Sequence, residues 1–218
     1  MPPAYVKPYV KRNKTDAEAI CEAVTRRTMR FVPIKSPEEQ AAGMVLKTRE
    51  LLLRQRSQTA NAMQAHMAEL GIVAATEITG IAKLTTILRD NRDGRLPNAA
   101  RAALLEMVDQ IDRLTKKVEL LDGKIIAGVK ADDAARRLTT IPGVGPIIAT
   151  TVRAAIQNPA TFWTGRDLAA WIGITPRASS SGGKERIGKI SKRGNKQLRT
   201  LLIVGATSIL KQVRRGSK

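Results

Sequence analysis

The sequence predicts a mainly α-helical protein, and three observations support that prediction. Aromatic residues make up only 3% of the 218 residues while hydrophobic residues make up 43%, which suits helices packed on aliphatic side chains better than a β-sandwich. In two long segments apolar residues recur every seven positions, a helical spacing. Two glycines one residue apart, Gly143 and Gly145, separate two further helical segments. The chain is long enough for one or two domains with a sizeable core.

The composition favours a polyanionic partner. The formal net charge is +19 and the pI is about 10.8. No apolar run approaches the roughly 20 residues that span a bilayer, and no secretory signal follows Met1, so no membrane partner is expected. The single cysteine, Cys21, is expected to be buried in a helix in a reducing cytoplasm. With His66 as the one histidine, a zinc site is excluded.

Residues 1–36 read as an incomplete α/β unit. Tyr5–Val10 and Met29–Ile34 are predicted as short strands on either side of a helix that begins near Asp16, with Thr15 or Asp16 as its cap. Such a piece cannot bury its own apolar faces. It therefore docks on the remainder of the chain or lacks a partner.

Residues 37–130 form a helical region. Ser36 is the predicted N-cap of a long helix that starts at Pro37 and stops at Gly71. A short helix and a second long helix from about Ala99 follow. In the second long helix, apolar residues occupy two heptad positions: Leu104, Ile111, Val118 and Ile125 at one, and Met107, Leu114 and Leu121 three residues on. This pattern favours a coiled coil, within one chain or across a dimer, although plain packing in a bundle fits it equally.

Residues 131–218 begin with the glycine hairpin. The run Ile-Pro-Gly-Val-Gly-Pro predicts a helix-hairpin-helix in which Gly143 and Gly145 allow the tight turn and Pro146 opens the next helix. Free N–H groups at that helix start would bind an anion such as a backbone phosphate. An ordinary αα-hairpin without a ligand is the alternative. Beyond it, Trp163 and Trp171 are expected to be core anchors, with base-stacking platforms as the alternative.

Three consecutive serines form the second candidate site. Ser179, Ser180 and Ser181 lie between a Pro-Arg pair and Gly182-Gly183, and glycines let a backbone approach a phosphate closely. A flexible Ser/Gly linker is the alternative reading. A basic run surrounds the serines and continues into a last helix, whose cations are expected to face solvent or DNA. This helix is predicted to start at or near Asn195 and to bury Leu198, Leu201, Leu202, Val204, Ile209 and Leu210. The candidate nucleic-acid-binding residues are Gly143, Gly145, Arg177, Lys184, Arg186, Lys189, Lys192, Arg193, Lys196 and Arg199.

These motifs together resemble a known family. The ordered runs are Ile-Pro-Gly-Val-Gly, Leu-Ala-Ala-Trp-Ile-Gly-Ile-Thr-Pro-Arg, Ser-Ser-Gly-Gly-Lys, Ile-Ser-Lys-Arg-Gly-Asn and Leu-Arg-Thr-Leu-Leu. From about Leu138 onward the chain is similar to DEDD-type insertion-sequence transposases of the IS116/IS110/IS902 type. The resemblance implies DNA strand exchange by a serine nucleophile, which falls on Ser181, with Ser180 next in line. It also implies a structured guide RNA, subunits joined by a coiled-coil arm as a homo-oligomer, and a place in the bacterial cytoplasm on the nucleoid.

The resemblance extends weakly to the N-terminus. Asp16 matches the last of four acidic residues in an RNase H-like, resolvase-like domain that holds Mg²⁺ in the intact family. The matching position three residues earlier is Asn13, and the first two carboxylates would precede Met1. Residues 1–36 are thus interpreted as a remnant of that domain, 37–130 as a helical coiled-coil region and 131–218 as the C-terminal transposase domain.

The consequence for activity stays open at this point. An N-terminally truncated transposase without its acidic residues is not expected to bind Mg²⁺ or to be active alone. A catalytically inactive DNA- or RNA-binding remnant is the alternative. A chromosomal helix-hairpin-helix DNA-binding protein explains the charge and the glycine hairpin, but not the serine motif.

Overall fold

The computed structural model describes residues 16–25, 34–75, 78–90, 92–178 and 187–216. It confirms a mainly α-helical protein: these residues contain eight α-helices and one two-stranded sheet. The chain divides into two compact units, one formed by Ala41–Ala131 and the other by Met1–Gln40 with Asp132–Lys218. The predicted strand Tyr5–Val10 and all but the last residue of Met29–Ile34 lie outside the described residues.

The elements follow one another in a simple order along the chain. They are α1 (Asp16–Thr25), α2 (Pro37–Glu69), α3 (Ile78–Arg89), α4 (Asn98–Ala131), α5 (Asp133–Leu138), α6 (Pro146–Ala155), a 3₁₀ turn (Pro159–Thr161), α7 (Gly165–Ile172), β1 (Pro176–Ala178), β2 (Ile187–Ile190) and α8 (Lys196–Gly216). Helix α1 confirms the helix predicted near Asp16. The expectation that Cys21 is buried was wrong, because every described side chain of α1 is exposed.

Local capping explains where α2 begins and ends. The Ser36 hydroxyl accepts the N–H of Glu39 at 3.2 Å, and the N–H of Ser36 donates to the Glu39 carboxylate at 2.9 Å. This reciprocal pair is a capping box. At the other end Gly71 has φ of +74° and the N–H of Ile72 donates to the carbonyl of Met67 at 2.9 Å. A left-handed glycine with that bond closes a helix, so both predicted ends are confirmed.

The two long helices pair within one chain and run in opposite directions. Arg49, near the start of α2, forms a two-bond ion pair with Asp122, near the end of α4. At the far end of α2, Met67 shares one buried cluster with Leu104, near the start of α4. Helix α3 contributes to the same cluster, whose members are Ala60, Met63, Met67, Ile72, Leu84, Leu88, Leu96, Leu104, Val108 and Ile111.

The buried stripe of α4 differs in part from the heptad prediction. The first heptad position is buried throughout, at Leu104, Ile111, Val118 and Ile125. At the second position Leu114 is buried, whereas Met107 and Leu121 are half-buried. Val108 and Val129 are buried in their place. The buried stripe therefore follows the first heptad position, with Val108 and Val129 each four residues beyond one of its members.

A buried arginine closes the loop between α3 and α4. The guanidinium of Arg101 donates to the carbonyls of Leu88 at 2.8 Å and of Asp90 and Asp93 at 2.6 Å each. Carbonyls that a loop leaves unpaired are costly to bury, and a charged donor satisfies several at once.

The start of α2 docks on the end of α6. The Lys35 ammonium donates to the carbonyl of Ala154 at 2.8 Å, and the side-chain amide of Gln157 donates to the Glu39 carboxylate at 2.7 Å. These contacts lie within the unit that contains Asp132–Lys218.

None of the described helices combines the length and the apolar character that a membrane span requires.

Candidate nucleic-acid interface

A two-stranded hairpin holds the two ends of the serine segment. Strand β1 pairs antiparallel with β2, with Pro176 opposite Ile190 and Ala178 opposite Ile187. At the base, the N–H of Ser191 donates to the carbonyl of Thr175 at 2.8 Å. Residues 179–186, with Ser180, Ser181, Lys184 and Arg186 among them, lie outside the described residues. Their flanks, Ala178 and Ile187, are paired neighbours.

Two glycines let the loop after β2 lie directly against the end of α7. Gly173, the left-handed cap of α7, has φ of +82°, and a β-carbon there would lie 1.8 Å from the carbonyl oxygen of Arg193. Gly194 has φ of +90°, and a β-carbon there would lie 1.9 Å from the carbonyl oxygen of Trp171. Both positions therefore exclude side chains, and the base of the hairpin is fixed to α7 by backbone contact.

Arg199, on α8, bridges the end of α7 and the loop after β2. Its side chain is only 8% exposed, and its guanidinium donates to the carbonyls of Ile172 at 2.9 Å and Arg193 at 3.2 Å. The expectation that Arg199 faces solvent was wrong, because these two carbonyls would otherwise be left without a donor at the junction of α7 and the loop. The residue serves the architecture of the site.

The other described cations of the hairpin and of the start of α8 are exposed. Arg177, Lys189 and Lys192 line an open groove of about 380 Å³ beside Gly188, Ile190 and Ser191. The Arg177 guanidinium donates to the carbonyl of Ser191 at 3.0 Å, which orients it over the hairpin base. Lys192 has φ of +54°, a left-handed conformation that is uncommon for a residue with a side chain. Arg193 and Lys196 follow and are exposed as well.

The predicted glycine hairpin joins α5 to α6. Gly143 has φ of +82°, so it requires glycine, whereas Gly145 is extended with φ of −84° and does not. Gly145 precedes Pro146, which opens α6 as predicted. The hairpin packs on α8, where a β-carbon at Gly143 would lie 2.8 Å from the carbonyl oxygen of Gly205.

Asp132 holds the two helices of this hairpin together. Its carboxylate accepts the N–H groups of Ala134 and Ala135 at the start of α5 and the Nε–H of Arg153 on α6 at 2.9 Å. The bond from Arg153 lowers the pKa of the Asp132 carboxyl below its ordinary value; partial burial opposes this and the two backbone N–H groups add to it.

Helix α8 buries less than its sequence pattern predicts. The helix starts beside Asn195 as expected; Asn195 caps it by accepting the N–H of Leu198 at 3.0 Å, and Leu198 is fully buried. Val204 and Leu210, predicted on the buried side, are exposed. The core contact of α8 is thus concentrated in its first half and at Gly205.

The two tryptophans have different environments. Trp171 is half-buried, and its ring meets that of Phe162 edge-on at 5.6 Å. Trp163 is 82% exposed, so its assignment as a core anchor was wrong. No periodicity could reveal this, because Trp163 lies in the short loop between the 3₁₀ turn and α7.

The predicted metal ligand, Asp16, is not joined to these residues by any contact that the structure describes. Asp16 is the first residue of α1, and Asn13 lies outside the described residues. No three His, Cys, Asp or Glu side chains within the described ranges are close enough to one another to hold a metal ion.

Comparison with known proteins matches the part of the chain that contains most of these candidate residues. Residues 135–218 match the family model of the transposase IS116/IS110/IS902 family. The chain is a relative of the IS116/IS110/IS902 transposases. This confirms the resemblance drawn from the motifs.

Three relatives show how far this transposase similarity extends. A Sinorhizobium fredii protein named as a transposase, y4pF/y4sB, is 44% identical over 98% of this chain and 56% of its own length. The transposase for insertion sequence element IS1111A of Coxiella burnetii is 37% identical, over 97% of this chain and 59% of its own. The transposase for insertion sequence element IS1328 of Yersinia enterocolitica is 35% identical, over 92% and 60%. The chain thus spans between half and two thirds of the length of these relatives.

Proposed function

We propose that this chain is the part of an insertion-sequence transposase that binds nucleic acid and supplies the serine for DNA strand exchange. The observation that carries the proposal is the antiparallel pairing of β1 with β2, which brings together the two ends of the segment containing Ser180 and Ser181. Exposed cations line the base of the same hairpin. A nucleic-acid backbone bound by these cations would lie close to the two ends of the serine segment.

The reaction we propose is an attack on a DNA phosphodiester. The hydroxyl oxygen of Ser181 forms a bond to phosphorus while the bond from phosphorus to one deoxyribose oxygen breaks. The serine proton passes to a base, and the leaving deoxyribose oxygen takes up a proton. The serine motif itself contains no residue suited to act as that base, which fits a site completed by another domain or subunit.

Mg²⁺ is part of this proposal only because the resemblance implies it for the intact family. Paired carboxylates hold Mg²⁺ at phosphate sites, where the ion neutralises developing charge. The described residues do not provide such a group, and Asp16 alone is a poor ligand set. The proposed reaction therefore includes no step at a metal ion held by the described part of this chain, and we propose that α1 belongs to a resolvase-like domain.

The hairpin of α5 and α6 is proposed as a second phosphate contact of the helix-hairpin-helix type. The first turn of α6 leaves N–H groups that have no partner within the helix, and Gly143 turns the chain tightly just before it. The hydrogen bond from Arg153 to Asp132 holds the two helices together. A guide RNA is the further nucleic acid that the family resemblance suggests.

We propose that the helical unit Ala41–Ala131 joins copies of the chain through a coiled-coil arm. Its long helices pair within the chain, yet α2 still exposes Met44 and Leu51, which are seven residues apart and therefore on one face. Exposed apolar side chains at heptad spacing can be buried by a second copy.

Charge-driven binding is the first test of the proposed function. With six or more phosphate contacts, affinity for a short DNA duplex should fall about a thousand-fold or more between 50 and 200 mM salt. Replacing Lys189 and Lys192 with glutamine should reduce the salt slope by about one for each lysine that binds a phosphate. Lys116→Gln on α4, an exposed lysine of the other unit, is the matched control. A flat salt response would exclude the proposed interface.

A further inference from the structure

We propose that the indole of Trp163 is a stacking platform for an unpaired nucleobase. This inference rests on the proposed function, to which it adds a base contact beside the phosphate contacts. Trp163 is 82% exposed and is one of only two tryptophans in the chain. A tryptophan offers one of the largest surfaces that a protein can bury. The exposed part of this ring is therefore a large surface on which a flat ligand can stack.

The backbone on both sides of Trp163 is fixed. Asn158 caps the preceding turn by accepting the N–H of Ala160 at 2.9 Å. On the other side Thr164 and Asp167 form a capping box, with bonds of 3.2 Å and 3.1 Å. The adjacent Phe162 ring is anchored on Trp171. Because hydrogen bonds hold the backbone on both sides of Trp163, little conformational entropy is lost when a flat ligand stacks on the ring.

The sequence that follows the loop indicates what kind of ligand this is. From Asp167 to Lys218 it contains twelve lysines and arginines against two acidic residues, Asp167 and Glu185. Arg166, three residues from the indole, is exposed. A cationic surface with an aromatic ring is the combination that binds single-stranded nucleic acid, where cations follow the backbone and rings stack on bases.

The neighbours of Trp163 argue against a protein partner. Aromatic anchors at protein interfaces lie within a wider apolar surface that excludes water. The exposed side chains of this loop are instead small or polar: Pro159, Ala160, Thr161, Thr164 and Arg166. One exposed π-face is sufficient for a base but insufficient for a protein interface. In a duplex the faces of the bases are covered by their neighbours, so the ligand is an unpaired base of DNA or RNA.

Fluorescence of the full-length Trp171→Phe variant isolates the signal of Trp163. Titration at low salt with oligothymidylate and oligouridylate should quench this fluorescence. An abasic oligonucleotide of equal length and a blunt duplex should bind with little quenching. The DNA and RNA arms distinguish the two sources of the base, and quenching by either supports the inference.

Affinity measurements on Trp163 variants complete the test. Trp163→Ala should weaken binding of the base-bearing single strands about five- to a hundred-fold and leave the abasic strand unchanged. Trp163→Phe should keep most of the affinity. If the oligonucleotides bind in a salt-dependent way but Trp163→Ala does not weaken binding of the base-bearing strands, base stacking on Trp163 is contradicted while the proposed function stands. Failure of every oligonucleotide to bind contradicts the proposed function as well. Self-association that Trp163→Ala abolishes would show a protein contact and overturn the inference.

Discussion

The backbones of Gly143 and Gly205 meet with no room for a side chain between them. A β-carbon on Gly205 would lie 2.2 Å from the carbonyl oxygen of Gly143 and 3.0 Å from the Cδ1 of Ile148. The glycine hairpin and α8 are thereby brought into direct contact, and this contact connects the two halves of the candidate interface.

Gly205→Ala should therefore destabilise the unit that contains Asp132–Lys218. In an open helix alanine is the better residue, but here its methyl group meets a carbonyl that cannot move freely, and overpacking costs about 1–3 kcal/mol. Urea unfolding followed by tryptophan fluorescence measures the destabilisation, because both tryptophans lie in this unit. Gly165→Ala, where the new β-carbon would meet nothing within 4 Å, should be neutral. Equal stability of the two variants would contradict the close contact.

Substituting Arg199 should lower stability, whereas substituting Lys196 should weaken the salt dependence of DNA binding. Arg199→Met removes the donor for two carbonyls and should cost about 1.5–3 kcal/mol of unfolding free energy. Lys196→Met removes an exposed cation, so stability should stay within about 0.5 kcal/mol while the salt slope of DNA binding falls. Urea unfolding and salt titration on both variants measure the two effects. An Arg199→Met protein that is as stable as the unmodified chain would show that the buried bonds contribute nothing.

The hydrogen bond between Asp132 and Arg153 predicts that the stability of the protein depends on pH in acid. Because the folded-state pKa of Asp132 is lowered, its contribution to stability is fully present above the unfolded pKa of about 4 and is lost as the pH falls through the lower folded value. Asp132→Asn keeps the cap but removes the charge, so stability should fall less steeply in acid. Asp133→Asn, which changes an exposed neighbour, is the control. Identical acid profiles for all three proteins would contradict this role for Asp132.

Exposed apolar residues on α2 should mediate self-association. Replacing Met44 and Leu51 with aspartate should lower the mass measured by sedimentation while the helical content is retained, because both side chains already face water in the single chain. Ile111→Asp should instead unfold the helical unit, since Ile111 belongs to its buried cluster. A sedimentation mass unaffected by the double substitution would place any interface elsewhere.

Elements that depend on local chemistry were predictable from the sequence. The N-cap at Ser36, the helix stop at Gly71 and the start of the last helix near Asn195 each depend only on neighbouring residues, and all three are confirmed. The first heptad position of α4 was also predictable, because a helix that packs on others must bury one stripe.

Features that depend on distant contacts were not predictable. Arg199 sits in a basic run and looks like its exposed neighbours; only the approach of Gly173 to Arg193 explains why it is buried. Strands β1 and β2 are three and four residues long, too short for an alternating pattern to reveal them. The exposure of Trp163 depends on which loop the fold leaves at the surface, and residue type alone predicts the reverse.

The most direct test of the proposed function is the covalent link between protein and DNA. The chain would be supplied with a resolvase-like domain that has its acidic residues, with the element's RNA and with labelled DNA, and the products separated on a denaturing gel. Ser181→Ala should abolish the covalent species while DNA binding survives, because a hydroxyl contributes little to charge-driven affinity. Ser180→Ala should reduce the amount of covalent species less than Ser181→Ala does. A covalent species that persists in Ser181→Ala and disappears in Ser180→Ala would move the nucleophile by one residue, and one that persists in both variants would contradict the serine mechanism.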